Sequence, residues 1–304
     1  MIWFVMLLVG LLAGVSTPHE VLAQRYDVFA VRYGTIEGFP LRGLLPQAPE
    51  GETLDIAMAF WVIRGEGRVV LVDSGFFREA WLDRYTFRDY RRPDAALAAL
   101  SIAPDEVTDL VVTHAHWDHM GGIELFPDAT LWIQAEEYAY YTGPAWQEGG
   151  RNGGIDPEDI RHLVERNLEG SVRLVEGDGV EVLPGITVFT GARHTFASQY
   201  VRVESDVPVI LASDNAYLYR ALDEERASAT FSPQDRPGNV AAGRRMRELA
   251  GEAGRVVPGH DPGQFERFPQ VAEGVVRIAG DGFPGGSGDE PPPPSRQWRH
   301  GAGR

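Results

Sequence analysis

Four potential metal ligands fall within six residues in the stretch Val111-Val112-Thr113-His114-Ala115-His116-Trp117-Asp118-His119-Met120-Gly121-Gly122. Imidazole nitrogens with a carboxylate oxygen suit zinc or another borderline divalent ion. Adjacent Asp118 and His119 cannot both easily reach an ion that His114 and His116 hold, so the spacing points to a binuclear site. His114 and His116 stand two apart, too close to share a helical face, which places them on a turn leaving an expected strand over Asp109 to Val112. Gly121-Gly122 is then expected to let the backbone turn tightly into the next element.

Histidine is scarce elsewhere. Of the eight in the chain, His19 lies in an apolar N-terminal segment, His162 in a polar helix and His300 in a low-complexity tail. The remaining two, His194 in Thr190-Gly191-Ala192-Arg193-His194-Thr195 and His260 in Val257-Pro258-Gly259-His260-Asp261, follow apolar runs, as does Asp214 in Ile210-Leu211-Ala212-Ser213-Asp214.

Thr113 to Gly122 reads THxHxDHxGG, and this signature resembles that of the metallo-β-lactamase-fold hydrolases. The resemblance implies that His114, His116 and His194 hold one ion, that Asp118, His119 and His260 hold the other, and that Asp214 bridges them with a water or hydroxide. It further implies an orienting role for Asp73 in Asp73-Ser74-Gly75, and a proton-carrying role for Asp118. The implied fold is α+β, a four-layer αββα sandwich over roughly Tyr26 to Pro269 with the active site on loops at one edge of the two sheets. Two divalent ions are the implied cofactor, zinc first, with iron, cobalt or manganese as alternatives.

The implied chemistry is hydrolysis by attack of a metal-bridging hydroxide, with Asp118, Asp214 and Tyr217 catalytic. Tyr217 stands three residues after Asp214, as a Tyr does in N-acyl homoserine lactonases, and Pro258-Gly259-His260-Asp261-Pro262 is also similar to lactonase-like members. Opening of a lactone ester ring, N-acyl homoserine lactone first, is therefore the expected reaction. The absence of cysteine sets aside the two β-lactamase subclasses that use a Cys ligand where this chain has Asp214. Alternatives are another hydrolase of the same fold, acting on an ester, β-lactam or phosphoester, and a non-catalytic periplasmic zinc-binding protein.

Composition narrows the classes independently. A formal charge of −16 disfavours binding to a phosphate backbone, so a small molecule is the expected partner and nucleic acid is not. All 28 basic residues are arginine, which excludes Schiff-base and P-loop lysines, and no thiol nucleophile is available.

Ile2 to Val15 is apolar and Val21-Leu22-Ala23 forms a small-residue cleavage pattern, so residues 1–23 are expected to be a signal peptide of a periplasmic or secreted protein that keeps no membrane attachment after cleavage, with an uncleaved anchor as the alternative. Losing Glu20 with them changes the formal charge from −16 to −15. The hydrolase domain is expected over 24–279 and a disordered Gly/Pro-rich tail over 280–304. A homodimer is left open.

The elements expected around the ligands are short. Tyr26 to Tyr33 alternates like a strand, and Gly34 to Glu52 reads as a loop. Met58 to Ile63 and Arg68 to Val72 read as a hairpin about Gly65-Glu66-Gly67. Helices are expected at Pro93 to Leu100, Ala135 to Tyr141, Asp156 to Leu168 (with Ile160, Leu163, Val164 and Leu168 on its apolar face) and Val240 to Leu249. Strands are expected at Thr130 to Ile133 and Arg255 to Val257. Five further strands, Val172 to Val175, Val180 to Leu183, Ile186 to Thr190, Gln199 to Val203 and Val207 to Ala212, read as a second sheet. Tyr140, Trp146 and Ile160 are candidates for a roof over the site, with Gly143 to Gly154 a flexible segment.

Overall fold

The computed structural model describes residues 26–281. The expected signal peptide and, apart from Gly280 and Asp281, the expected tail lie outside the described residues.

The strands are β1 (Asp27–Pro40), β2 (Thr53–Gly65), β3 (Arg68–Val72), β4 (Phe87–Arg88), β5 (Asp109–Val111), β6 (Thr130–Gln134), β7 (Val172–Val175), β8 (Val180–Leu183), β9 (Ile186–Thr190), β10 (Gln199–Val203), β11 (Val209–Ser213), β12 (Arg255–Pro258), β13 (Gln270–Ala272) and β14 (Val275–Ala279). Among the described residues they form two sheets, one ordered β13-β14-β1-β2-β3-β5-β6-β7 with β4 also on β1, the other β12-β11-β10-β9-β8. Val28, Trp61, Ile63, Val70 and Val111 of the first sheet pack on Ile186, Val201, Leu211 and Val257 of the second, all fully buried. Helices cover both outer faces: Pro157–Leu168 contributes Ile160 and Leu163 to the core behind the first sheet, and Arg236–Ala250 packs Met246 against Tyr200 and Ile210 of the second. This is the αββα sandwich that alternating strand faces and amphipathic helices require when both sheets are buried on both sides.

Three expectations are corrected. Gly34 to Pro40 is not loop: β1 runs on to Pro40 and pairs with β2 as far as Thr53, with register shifts at Arg32/Gly34 and Ile36/Phe39 that absorb the glycines as bulges. Val172–Val175 belongs to the first sheet, where it pairs in parallel with β6 after a helical crossover, and not to the second. Leu168 is 82% exposed at the last residue of its helix, outside the apolar stripe that Ile160 and Leu163 define.

Strands β3, β5, β6 and β7 run parallel in one sheet, as do β11 and β12 in the other. Residues just beyond β3, β5, β11 and β12 therefore reach one common edge of the sandwich. Among the described residues no helix is long and apolar enough to cross a membrane.

Candidate metal centre

That edge collects the seven expected ligands from five places in the chain. His114 and His116 follow β5, and Asp118 and His119 lie in the one-turn helix Trp117–Met120. His194 lies in the β9–β10 connection, Asp214 directly follows β11, and His260 follows β12. They fall into two groups whose candidate ligand atoms lie within 4.8 Å of one another, His114, His116, His194 and Asp214 in one, Asp118, His119 and His260 in the other.

Asp214 faces both groups. Its Oδ2 is 3.3 Å from His194 Nε2 and 3.6 Å from His114 Nε2, while its Oδ1 is 3.1 Å from His260 Nε2 and 3.4 Å from His119 Nε2. Asp118 Oδ2 stands 3.5 Å from His260 Nε2 and 3.6 Å from His119 Nε2.

The outward nitrogens decide which lone pairs point in. Carbonyl oxygens only accept, so His194 Nδ1 donates to Ala229 O at 2.9 Å and His260 Nδ1 donates to Ala57 O at 3.0 Å. His119 Nδ1 meets Asp73 Oδ2 at 2.7 Å. The Thr113 hydroxyl donates to Asp73, leaving it to accept from His114 Nδ1 at 3.0 Å. In their neutral form these four imidazoles carry their hydrogen outward and leave Nε2 free to bind an ion at the cluster. His116 is turned the other way, with Nδ1 2.9 Å from His114 Nε2 and 3.0 Å from His194 Nε2.

These inward nitrogens face each other and the Asp214 Oδ1 atom, which is buried without a hydrogen-bond partner. Lone pairs crowded together in a buried site repel unless a cation sits among them, and nitrogen with carboxylate oxygen is a borderline-ion donor set. The residues present therefore fit two divalent ions.

Electrostatics agree with that fit. Burial, with His119 and His116 as neighbours, holds His114 well below the usual imidazole range, and burial with His194 does the same to His116. Burial opposes charge on His119, yet Asp214, Asp118 and Asp73 outweigh it and hold that ring well above its usual value. Burial likewise opposes charge on Asp214, but His119 and His260 keep it ionised well below the usual carboxylate range. The centre is built to be balanced by positive charge.

Two residues behind the ligands carry backbone strain. Asp73 and Ser213 adopt left-handed conformations, φ 64° and 47°, costly for residues with a Cβ. Both pay into one hydrogen-bond hub: Asp73 accepts from Thr113 N at 2.8 Å, from the Thr113 hydroxyl at 2.9 Å and from the Ser213 hydroxyl at 3.1 Å. Gly122 is needed for close approach and not for a special turn, since its φ is −105° and a Cβ there would stand 2.2 Å from Ser74 O. Gly154 does need glycine, with φ +79° and a Cβ position 2.9 Å from the His116 ring.

Tyr217 is at the cluster. Its hydroxyl lies 3.4 Å from His194 Nε2, its ring stacks at 5.6 Å on His260, and burial followed by Asp214 and Asp118 holds the phenol well above its usual pKa, so it stays a donor. With His116 it lines two clefts. One, of about 130 Å³, is walled by Ile36, Phe39, Leu44, Ile56, Tyr85 and Trp117 beside Asp118; the other, of about 320 Å³, is bordered by Tyr141, Arg151, Thr195, Thr230 and Phe231.

The expected roof is displaced. Ile160 is core, the Trp146 indole donates to Tyr141 O, and Tyr140 stacks at 4.0 Å on Phe196 one layer behind the larger cleft. Sequence reasoning missed the aromatic wall of the smaller cleft, where Trp81 and Tyr85 stack on Trp117 at 4.6 and 5.7 Å. No helical spacing marks it, because helix Glu79–Leu82 ends before Tyr85.

The Metallo-beta-lactamase superfamily model matches residues 59–260 of this sequence, from β2 to the last ligand. The chain belongs to that superfamily. Within the metallo-beta-lactamases it is similar to the N-acyl homoserine lactonase AttM of Rhizobium johnstonii, 32% identical over 182 residues, which are 58% of this chain and 66% of AttM. Thus the match spans just under two thirds of that relative's own length. Among solved metallo-beta-lactamase folds, a variant of AiiA from B. thuringiensis with N-decanoyl-L-homoserine bound at its active site superposes with a TM-score of 0.68 at 20% identity, over 82% of this chain and 98% of that one. AidC, a dizinc quorum-quenching lactonase, does so at 0.61 and 16% identity, over 86% and 96%. At these identities the two structures speak to the fold.

Proposed function

We propose that this protein is a binuclear metal-dependent hydrolase that opens the ester ring of lactones, with N-acyl homoserine lactones as the leading substrate class. The observation that carries the reading is the placement of a neutral Tyr217 hydroxyl and the Asp118 carboxylate on the cleft side of a two-group ligand cluster, next to an apolar cleft. The likeness to AttM supports the lactone as the ester in question.

His114, His116 and His194 would hold one ion, Asp118, His119 and His260 the other, with Asp214 between them; zinc is the favoured metal for this donor set. When bound, two such ions supply a water acidified to near neutral pH and Lewis-acid polarisation of a carbonyl. Tyr217 donates its hydroxyl hydrogen to the ester carbonyl oxygen and stabilises the charge that builds there. Asp118 takes the proton released as the water oxygen joins the acyl carbon and passes it to the ring oxygen as the carbon–oxygen bond breaks, so that lactone and water give one hydroxy acid. Ile36, Phe39 and Ile56 exclude water and seat the acyl chain.

Hydrolysis of a short- and a long-chain acyl homoserine lactone by the metal-replete protein, followed as acid release, tests the reading. Ring opening abolished by chelation supports it; a protein that binds two ions yet opens neither substrate excludes these lactones and returns the site to another ester, β-lactam or phosphoester. The same reading includes export, supported by the apolar run Ile2 to Val15 and the Val21-Leu22-Ala23 pattern, and N-terminal sequencing of exported protein should begin at Gln24.

A further inference from the structure

Glu137 is a buried acid that the ligand set does not use. It sits in the helix Ala135–Tyr141 and is 1% exposed. Its Oε1 accepts from the Ala115 N–H at 3.0 Å and from the Thr195 hydroxyl at 2.7 Å, and its Oε2 accepts from the Ala197 N–H at 2.6 Å. Ala115 lies between His114 and His116, and Thr195 directly follows His194. One carboxylate therefore ties together two loops that leave different sheets, and those loops supply all three histidines of one group. The other group is anchored elsewhere, His119 on Asp73 and His260 on Ala57 O.

Resting on the two-ion reading above, we propose that Glu137 is a positioning residue that sets the metal affinity of the His114, His116 and His194 subsite independently of the Asp118, His119 and His260 subsite. Two physical effects act together. The clamp fixes the distance between the loops, so three nitrogens converge without an ordering cost at the moment of binding. The carboxylate also gives the Ala115 and Ala197 N–H groups an acceptor between the two loops, and without it they would be left unsatisfied beside the ligands. A buried acid that only held the fold would support both subsites or neither.

Glu137→Gln keeps the size and replaces one acceptor with an NH2 that confronts either the Ala197 N–H or the Ala115 N–H and Thr195 hydroxyl. The full chain, stripped of metal and equilibrated with Zn2+ at buffered free concentrations, is read by ions per chain. For Glu137→Gln one ion should require roughly 10–100-fold more free Zn2+ than in the unsubstituted protein while the other is unmoved. The same shift should recur when Glu137→Gln is added to His260→Ala, which leaves the three-histidine subsite to be read alone. Thr195→Val, which keeps the carboxylate and removes one of its three donors, should shift the same ion by less, and it carries the test if Glu137→Gln does not fold. Equal shifts of both ions, or no shift of either, would overturn the proposal. Because the readout is metal occupancy, a failure of lactone turnover counts against the proposed reaction alone, whereas an unsubstituted chain that takes up fewer than two ions overturns the metal centre and the role of Glu137 with it.

Discussion

At the scale of single residues the account rests on Asp214 and Tyr217, because each touches both halves of the site. Asp214 presents one oxygen to each ligand group, so Asp214→Asn removes the charge between them. Fewer than two ions per chain should remain on that variant after dialysis, measured by elemental analysis, with turnover lost in parallel; full occupancy would remove Asp214 from the bridging position. Tyr217→Phe should behave in the opposite way. His194, the inward nitrogen nearest its hydroxyl, is oriented through Nδ1 on Ala229 O, so both ions stay, while turnover on lactones falls by about 10²–10³-fold, the usual cost of one donor to a developing oxyanion. Unchanged kinetics would reduce Tyr217 to the packing partner of His260 that its ring stacking also makes it.

At the scale of elements, the aromatic wall of the smaller cleft is held by a charged cluster. Arg78, just ahead of helix Glu79–Leu82, pairs with Asp159 at 2.9 Å and also with Glu124, while the Trp81 indole donates to Asp156. Burial of Asp159 outweighs the neighbouring guanidinium and raises its carboxyl from the usual 3.8 to about 7. Between about pH 4 and pH 7 the unfolded chain therefore releases this proton while the folded protein keeps it, so stability falls as pH rises through that window and is level above it. Relative to Asp159→Asn, denaturant titrations should show a loss of up to about 4 kcal/mol across it, at ~1.4 kcal/mol per pKa unit. A pH-independent difference between the two proteins would contradict the raised value.

The same scale shows what could be read in the sequence. His114, His116, Asp118 and His119 were legible from their types and spacing after an apolar run, whereas His194, Asp214 and His260 were reached through the resemblance. Asp73 was legible only by resemblance, since its left-handed φ and four acceptor contacts leave no local pattern. The extension of β1 through Gly34 to Pro40 was hidden by its composition: bulges let Gly and Pro enter a strand, and pairing with β2 supplies what local propensity lacks. The placement of β7 failed for a different reason. Neighbouring strands in sequence usually share a sheet, and nothing local marks the chain as changing sheets between Val175 and Val180. Glu137 was invisible because its partners arrive from two loops distant in sequence.

At the scale of the whole molecule, β13 and β14 went unexpected although they close the first sheet against β1. Val275, Val276 and Ile278 are buried there, each contributing about 1.5–3 kcal/mol. Set against a total margin of roughly 5–15 kcal/mol, a chain ending at Pro269 should lose cooperative unfolding and expose the β1 edge; retention of the full-length melting transition would show that the two strands are dispensable. The sandwich matters to function because it brings four strand ends to one edge, and the central claim is that two ions held there, and not one, open a lactone. The most direct measurement is a titration of the metal-free protein with Zn2+, with ring opening of an acyl homoserine lactone followed at each addition. Activity should climb mainly with the second equivalent and vanish in Asp214→Asn. Full turnover at one equivalent, or in the metal-free protein, would contradict the account.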